Sequence, residues 1–127
     1  MTQEAAMTEF LGRTGLPVYA AGEVPAQPPA GYITLQFAGG LWGQTIAAEA
    51  DLWLTDDGQT NINALSRRLL ARLDHGGCML PCDGGALWVT AGSPAAAALT
   101  DSTGPNLRRR RVNLTVRVLA DTEGETI

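Results

Sequence analysis

From Arg109 to Val118 the chain alternates: Val112, Leu114, Val116 and Val118 leave on one side, and Arg109, Arg111, Asn113, Thr115 and Arg117 on the other. Successive side chains of an extended strand take opposite faces. The run therefore predicts a strand in a sheet that is dry on one side and wet on the other. A helix cannot use it, because a period of two scatters apolar groups around a cylinder of 3.6 residues per turn. The rest of the chain has to roof the dry side and give this strand its neighbours.

Two segments supply the roof. Between Gln59 and Asp74, Ile62, Leu65, Leu69 and Leu73 share one helical face with Leu70 beside them, while Arg67, Arg68 and Arg72 lie away from it. Each leucine fully buried contributes about 1.5–3 kcal/mol, so this helix is the main cover. Asp56 or Asp57 caps it and Gly76-Gly77 stops it. A shorter helix over residues 3–11 has Thr2 as its N-cap, Glu4 in its first turn, an apolar stripe of Ala6, Met7, Phe10 and Leu11, and Gly12 as a left-handed stop.

The neighbours are shorter strands. Ile33, Leu35 and Phe37 alternate with Tyr32, Thr34 and Gln36. From Ile46 to Leu54 the inward set is Ile46, Ala48, Ala50, Leu52 and Leu54, and the outward set Ala47, Glu49, Asp51 and Trp53. The two runs are close in sequence and predict an antiparallel pair. Cys78–Cys82 and Ala86–Ala91 flank Asp83-Gly84-Gly85, a strong hairpin signal. Pro17, Pro25, Pro28 and Pro29 exclude a helix over residues 13–31, leaving Leu16 to Tyr19 as a brief extended piece and a proline-rich connector after it. Ser93-Pro94 before four alanines reads as the start of a short helix or compact loop, leading to an exposed arm that ends near Pro105. The expected fold is α+β. Two helices, at about 3–11 and 59–74, pack on one face of a small, mainly antiparallel sheet of four to five strands. One domain spans residues 1–127, with a frayed acidic tail over 121–127.

Charge narrows the function classes. The net charge is −4, and all nine basic residues are arginine. A protein that wraps duplex DNA neutralises phosphates with Lys and Arg, and lysine is absent here altogether. No apolar run of about 18 residues exists to span a membrane, and Met1-Thr2-Gln3-Glu4 does not open a secretion signal. Synthesis in a reducing cytoplasm is expected, where two cysteines make no disulfide framework.

The candidate chemical motifs are thin. His75, Cys78 and Cys82, with Asp74 or Asp83, form one loose cluster where a structural zinc site shows two ligand pairs, and small buried cysteines suit an apolar strand. The segment Ala38 to Thr45 has the glycines of a phosphate cradle without its lysine. Its Leu41 and Trp42 instead make an apolar knob on a glycine-flanked tip. His75 with Cys78 is the least poor nucleophilic pair, and nothing orients it. The expectation is no enzyme: no catalytic, cofactor-binding or metal-ligating residue is assigned. Arg108 to Arg111 resembles a nucleic-acid patch, yet a strand sends alternate arginines to opposite faces. Arg109 and Arg111 join Arg117 on the wet face with Glu49 and Asp51, while Arg108 and Arg110 fall beyond the edge of the core. The candidate interface is therefore Leu41, Trp42, Glu49, Asp51, Arg109, Arg111 and Arg117.

The order of these segments resembles a known family. An opening helix, Leu16-Pro17-Val18-Tyr19, the approach Val24-Pro25 through Pro28-Pro29-Ala30-Gly31, and the strand Tyr32-Ile33-Thr34-Leu35-Gln36 come first. Trp53 near the end of the next strand, a leucine- and arginine-bearing helix and a closing Arg111 to Val118 complete the pattern. Over about residues 4–119 it is similar to the tail terminator, or tail completion, proteins of long-tailed phages. The resemblance implies a structural virion protein assembled in the host cytoplasm. Copies of it would form a hexameric ring on the head-proximal end of the tail tube. Its partners would be itself, the tail-tube protein and a head-closure or neck protein, with DNA only passing through. The family offers no catalytic residues to carry over. Another neck component or a small nucleic-acid-binding module stays open as an alternative.

Overall fold

The computed structural model describes residues 1–55, 60–74, 76–99 and 107–120. The elements run α1 (Gln3–Gly12), β1 (Val18–Ala20), β2 (Gly31–Gln36), β3 (Thr45–Thr55), α2 (Thr60–Ala71), β4 (Cys78–Cys82), β5 (Gly85–Leu99) and β6 (Leu107–Ala120). The strands form one sheet in the order β1-β2-β3-β6-β5-β4. β1 runs parallel to β2 and every other pair is antiparallel.

This corrects the expected fold. The sheet has six strands, is mixed, and curls into a half-barrel. About half of the described residues are in strands and about a fifth in two short helices. Two departures account for most of the difference. β1 has only three residues, too few to show a period. It exists because Pro17 O accepts from Ile33 N (2.9 Å) and Leu35 O from Ala21 N (2.9 Å), which lay the segment along β2. The second is Ser93 to Leu99, expected as a helix or loop and found as the second half of β5. Alanine's helix propensity is worth a few tenths of a kcal/mol per residue. The fourteen-residue β6 offers a whole ladder edge, and Ala96 to Leu99 pair with Val112 to Arg109. The register shift between Ala91 and Ala96 absorbs the intervening residues as a bulge, held by Asn113 Nδ2 donating to Pro94 O at 2.9 Å. Gly92 passes so close to Asn113 that an added Cβ would lie 3.0 Å from its Cβ and carbonyl oxygen.

The helices obey the sequence more closely. Thr2 caps α1 by accepting from Ala5 N at 3.1 Å, and Ala6, Met7, Phe10 and Leu11 are all buried. Gly12 stays within the helix, and the left-handed residue is Gly15 (φ 90°). α2 ends at Ala71. Residues Arg72 to Asp74 tighten into i→i+3 bonds (Arg72 N to Leu69 O, 3.2 Å; Leu73 N to Leu70 O, 2.9 Å) before Gly76 and Gly77 turn the chain with φ of 98° and 102°. Only glycine fits at 77, because a Cβ there would collide with the carbonyl of Val89. Asp56, Asp57, Gln59 and His75, the arm over 100–106 and the tail over 121–127 lie outside the described residues.

α1 packs against β4 and β1, and α2 against β3, β6 and β5. Both helices share a core with Ile33, Leu35, Ala48, Ala50, Leu52, Leu80, Leu87, Val89, Val112, Leu114, Val116 and Val118. The alternation read from β6 thus places its valines under the helices and its arginines 109, 111 and 117 on the opposite face. Arg108 and Arg110 take the helix-side face, opposite Leu54 and Leu52 of β3. No helix among the described residues is long and apolar enough to cross a membrane.

Candidate interaction surfaces

The outer face of the sheet carries a row of four side chains on four strands. Tyr32 on β2 is the register partner of Trp53 on β3, which is the partner of Arg109 on β6, and Tyr19 on β1 stands beside Tyr32. The rings of Tyr32 and Trp53 stack at 5.8 Å and 8°, and Tyr19 meets Tyr32 edge-on at 6.1 Å and 64°. The Arg109 guanidinium lies 4.6 Å from the indole centroid of Trp53. Strand neighbours in register stand about 5 Å apart, close enough for such contacts. Both faces of the Trp53 ring are therefore covered, and its Nε1 donates to Thr34 Oγ1 at 3.1 Å.

One row further along, Asp51 anchors the charges. Its carboxylate accepts from Arg109 Nη2 at 2.5 Å and Nε at 3.2 Å, and from Arg111 Nε at 3.0 Å and Nη2 at 3.3 Å. Arg111 also reaches Glu49 at 3.6 Å. Asp51 is buried, with 7% of its surface exposed, and two guanidiniums compensate it. The hydrogen bond to Asp51, helped by the charges of Asp51 and Glu49, raises the Arg111 pKa above its ordinary value against the opposing effect of burial. Four of the seven candidate interface residues, Glu49, Asp51, Arg109 and Arg111, are thus brought together, and they bind one another.

Leu41, Trp42 and Arg117 lie elsewhere, toward the end of the sheet where β3 begins and β6 ends. Arg117 is exposed in a row with Thr45 and Trp88, and none of the ion pairs among the described residues includes it. Leu41 is 73% exposed and Trp42 46%. Their loop is braced from both sides. Gln3 at the start of α1 exchanges two hydrogen bonds with the backbone of Gly40 (2.9 and 3.0 Å). Gly43 N donates to Val118 O at 2.7 Å and Val118 N to Gln44 O at 2.9 Å. Trp42 lies across the β4–β5 turn, where a Cβ on Gly84 would come within 2.9 Å of the indole.

Two further exposed hydrophobics were passed over by the sequence reading, and one of them, Met1, joins this corner. Met79 on β4 is 53% exposed, and Met1 is 54% exposed with its carbonyl accepting from Asp83 N (2.7 Å) and its amine on the Asp83 carboxylate (2.6 Å). The signal for Met79 was present: on a strand with Leu80 buried beneath the helices, its neighbour takes the other face. Of the four exposed large hydrophobics among the described residues, Met1, Leu41 and Trp42 gather at the β4–β5 turn, while Met79 stands four residues before it in register with Trp88.

The rest of the described surface holds little chemistry. No group of three or more His, Cys, Asp or Glu stands within reach of a common metal ion among the described residues. Cys78 and Cys82 are free thiols, both half-buried. Burial, with the charge of Asp83 adding to it, pushes the Cys82 thiol up against the weaker pull of the N-terminal amine, which keeps it in the unreactive form.

No family model and no curated protein matches the chain. Solved structures do. One is 15% identical over 93% of this chain and 92% of its own, with a TM-score of 0.58. The likeness is one of fold. It extends over nearly the whole of both chains and carries no function with it.

Proposed function

We propose that the chain is a ring-forming structural subunit of a phage tail, the tail terminator, seated where the tube ends and the head is joined. The observation that carries the reading is the braced apolar corner of Met1, Leu41 and Trp42. Hydrophobic side chains gathered at one place and held rigid mark a contact with another protein. A loop tied to α1 and β6 loses little freedom on docking, so more of its burial appears as affinity. A closed ring requires two unlike patches on each subunit, and this corner supplies one of them. The net charge of −4 lets DNA pass through such a ring without being held. The order of segments over residues 4–119, similar to that of tail terminators, points the same way.

The charges of the outer face have a different part in this proposal from the one expected of them. Glu49, Asp51, Arg109 and Arg111 neutralise one another within the subunit, so the corner and Arg117 carry the docking. The test is to add purified protein to tails that lack it, and to examine the tails by electron microscopy and the mixture by mass. Density at the head-proximal end is expected, lost when Leu41→Ser and Trp42→Ser are combined. Protein that never appears at that end ends the proposal.

A further inference from the structure

The exposed face of α2 is basic. Asn61, Ala64, Arg67, Arg68 and Ala71 face outward while Ile62, Leu65, Ser66 and Leu69 are buried. The helix contains no acidic residue. Arg13 pairs with Glu9, Arg109 with Asp51, and Arg111 with Asp51 and Glu49; Arg67 and Arg68 have no carboxylate partner among the described residues. In a chain of net charge −4, two adjacent uncommitted guanidiniums are a local exception. Beside them opens a pocket of about 290 Å³, walled by Leu16, Leu54, Leu65 and Ala64, with Thr14, Asn61 and Arg68 at its rim. An apolar pit beneath a guanidinium suits an acidic segment that also carries an aliphatic side chain.

The chain contains such a segment. Asp121-Thr122-Glu123-Gly124-Glu125-Thr126-Ile127 holds three carboxylates, no cation, and an isoleucine two residues past Glu125. We infer that this acidic tail of one copy docks on the α2 face of a second copy, Glu123 and Glu125 on Arg67 and Arg68, and Ile127 in the pit between Leu16 and Leu54.

Reach decides between the two copies. Leu54 in the pit stands opposite Arg108, twelve residues along β6 from Ala120, where the tail departs. Twelve strand residues cover about 40 Å, and even bent into a full semicircle they leave their ends about 25 Å apart. Ile127 lies seven residues past Ala120 and extends at most about 25 Å from it. That meets the pit only if β6 bent through a full semicircle and the tail ran straight along its chord. Any lesser bend leaves a tail short of its own pit, and a neighbouring copy brings one within range. Acidic tail and basic helix are the kind of unlike pair that a head-to-tail ring contact uses. The inference rests on reading the chain as a subunit that meets copies of itself.

The experiment uses a fluorescent peptide of residues 120–127, titrated by anisotropy against full-length protein carrying Glu123→Arg and Glu125→Arg, whose own tail cannot compete. Saturable binding is expected, weakening about ten-fold or more as salt rises to about 0.5 M. Adding Arg67→Glu and Arg68→Glu should weaken it at least about ten-fold, and the milder Arg67→Gln with Arg68→Gln should weaken it in part. A peptide with arginine at both glutamate positions should then bind the Arg67→Glu, Arg68→Glu protein. Peptide binding that ignores the α2 charges overturns the inference. So does a duplex oligonucleotide that occupies the same arginines about ten-fold more tightly at equal salt. Protein that caps tails and ignores the peptide loses this contact alone; protein that binds the peptide and never caps tails keeps it and loses its place on the tail.

Discussion

Arginine is used in two opposite ways in this molecule. On β6, Arg109 and Arg111 converge on Asp51, and Arg109 also covers one face of Trp53, so their charge is spent inside the subunit. On α2, Arg67 and Arg68 stand on an exposed face beside an apolar pit. The difference follows from geometry. A strand in the middle of a sheet has neighbours on both sides within about 5 Å, so a charge on it meets a partner or is buried without one. A helix at the surface leaves half its circumference to water. The arginine run that stands out most in the sequence is thus largely structural, and the less conspicuous pair is free for a partner.

The comparison breaks first at Asp51. Asp51→Ala leaves two half-buried guanidiniums facing each other without their shared anion, and only Arg111 keeps a carboxylate, Glu49 at 3.6 Å. Breaking a fully buried pair costs about 3–5 kcal/mol, and the partial exposure of both arginines reduces that to about 2 kcal/mol here. Urea titration should show the loss in midpoint, with mass on tails unchanged. If stability holds and docking fails instead, the outer charges face a partner after all and the division drawn above is wrong. Arg111 offers a check through pH. Its pKa is raised in the fold, so its contribution is complete below the ordinary arginine value and disappears only as pH climbs through the higher folded one. The wild type should therefore lose nothing from this group between about pH 5 and 9.

The corner should respond in the reverse sense. Leu41→Ser with Trp42→Ser removes two exposed side chains from a loop whose braces are backbone bonds and Gln3. Association should weaken about ten-fold or more, which is about 1.4 kcal/mol, while the unfolding midpoint barely moves. Next in size is Trp53→Phe. It keeps a ring between Tyr32 and Arg109 and deletes the donor to Thr34, a loss of about 1 kcal/mol in stability with no effect on docking.

Much of this division was legible in the residues. The alternation of β6 and β3 assigned every valine and every outer arginine to its face, and the leucines of α2 were found where their spacing put them. Asp51, Arg109 and Arg111 were named together as a surface. What the spacing could not supply was distance: register brings Asp51 opposite Arg111 and Trp53 opposite Arg109, and only that makes the cluster close on itself. The sheet's true extent was hidden for a related reason. A three-residue β1 carries no period, and Ser93 to Leu99 speaks locally for helix while β6 offers it a ladder. Long-range pairing overrode local propensity at Ser93 to Leu99, and at β1 it turned an already extended piece into a strand. Met79 escaped because alternation was read for its buried members and its outward ones were passed over.

The smallest expected effect sharpens the comparison most. Arg67→Gln with Arg68→Gln touches an exposed helix face, keeps residues of good helix propensity, and breaks no ion pair among the described residues. Stability should stay within about 0.5 kcal/mol of the wild type. The same substitution at Arg109 and Arg111 leaves Asp51 buried beneath neutral amides and should cost about 2 kcal/mol. Two double substitutions of identical chemistry then differ about four-fold in their cost by urea titration. A null result at β6 would mean that water reaches Asp51 and stabilises it without help. A large loss at α2 would mean that these guanidiniums hold the subunit together, which would remove the reason for giving them a partner.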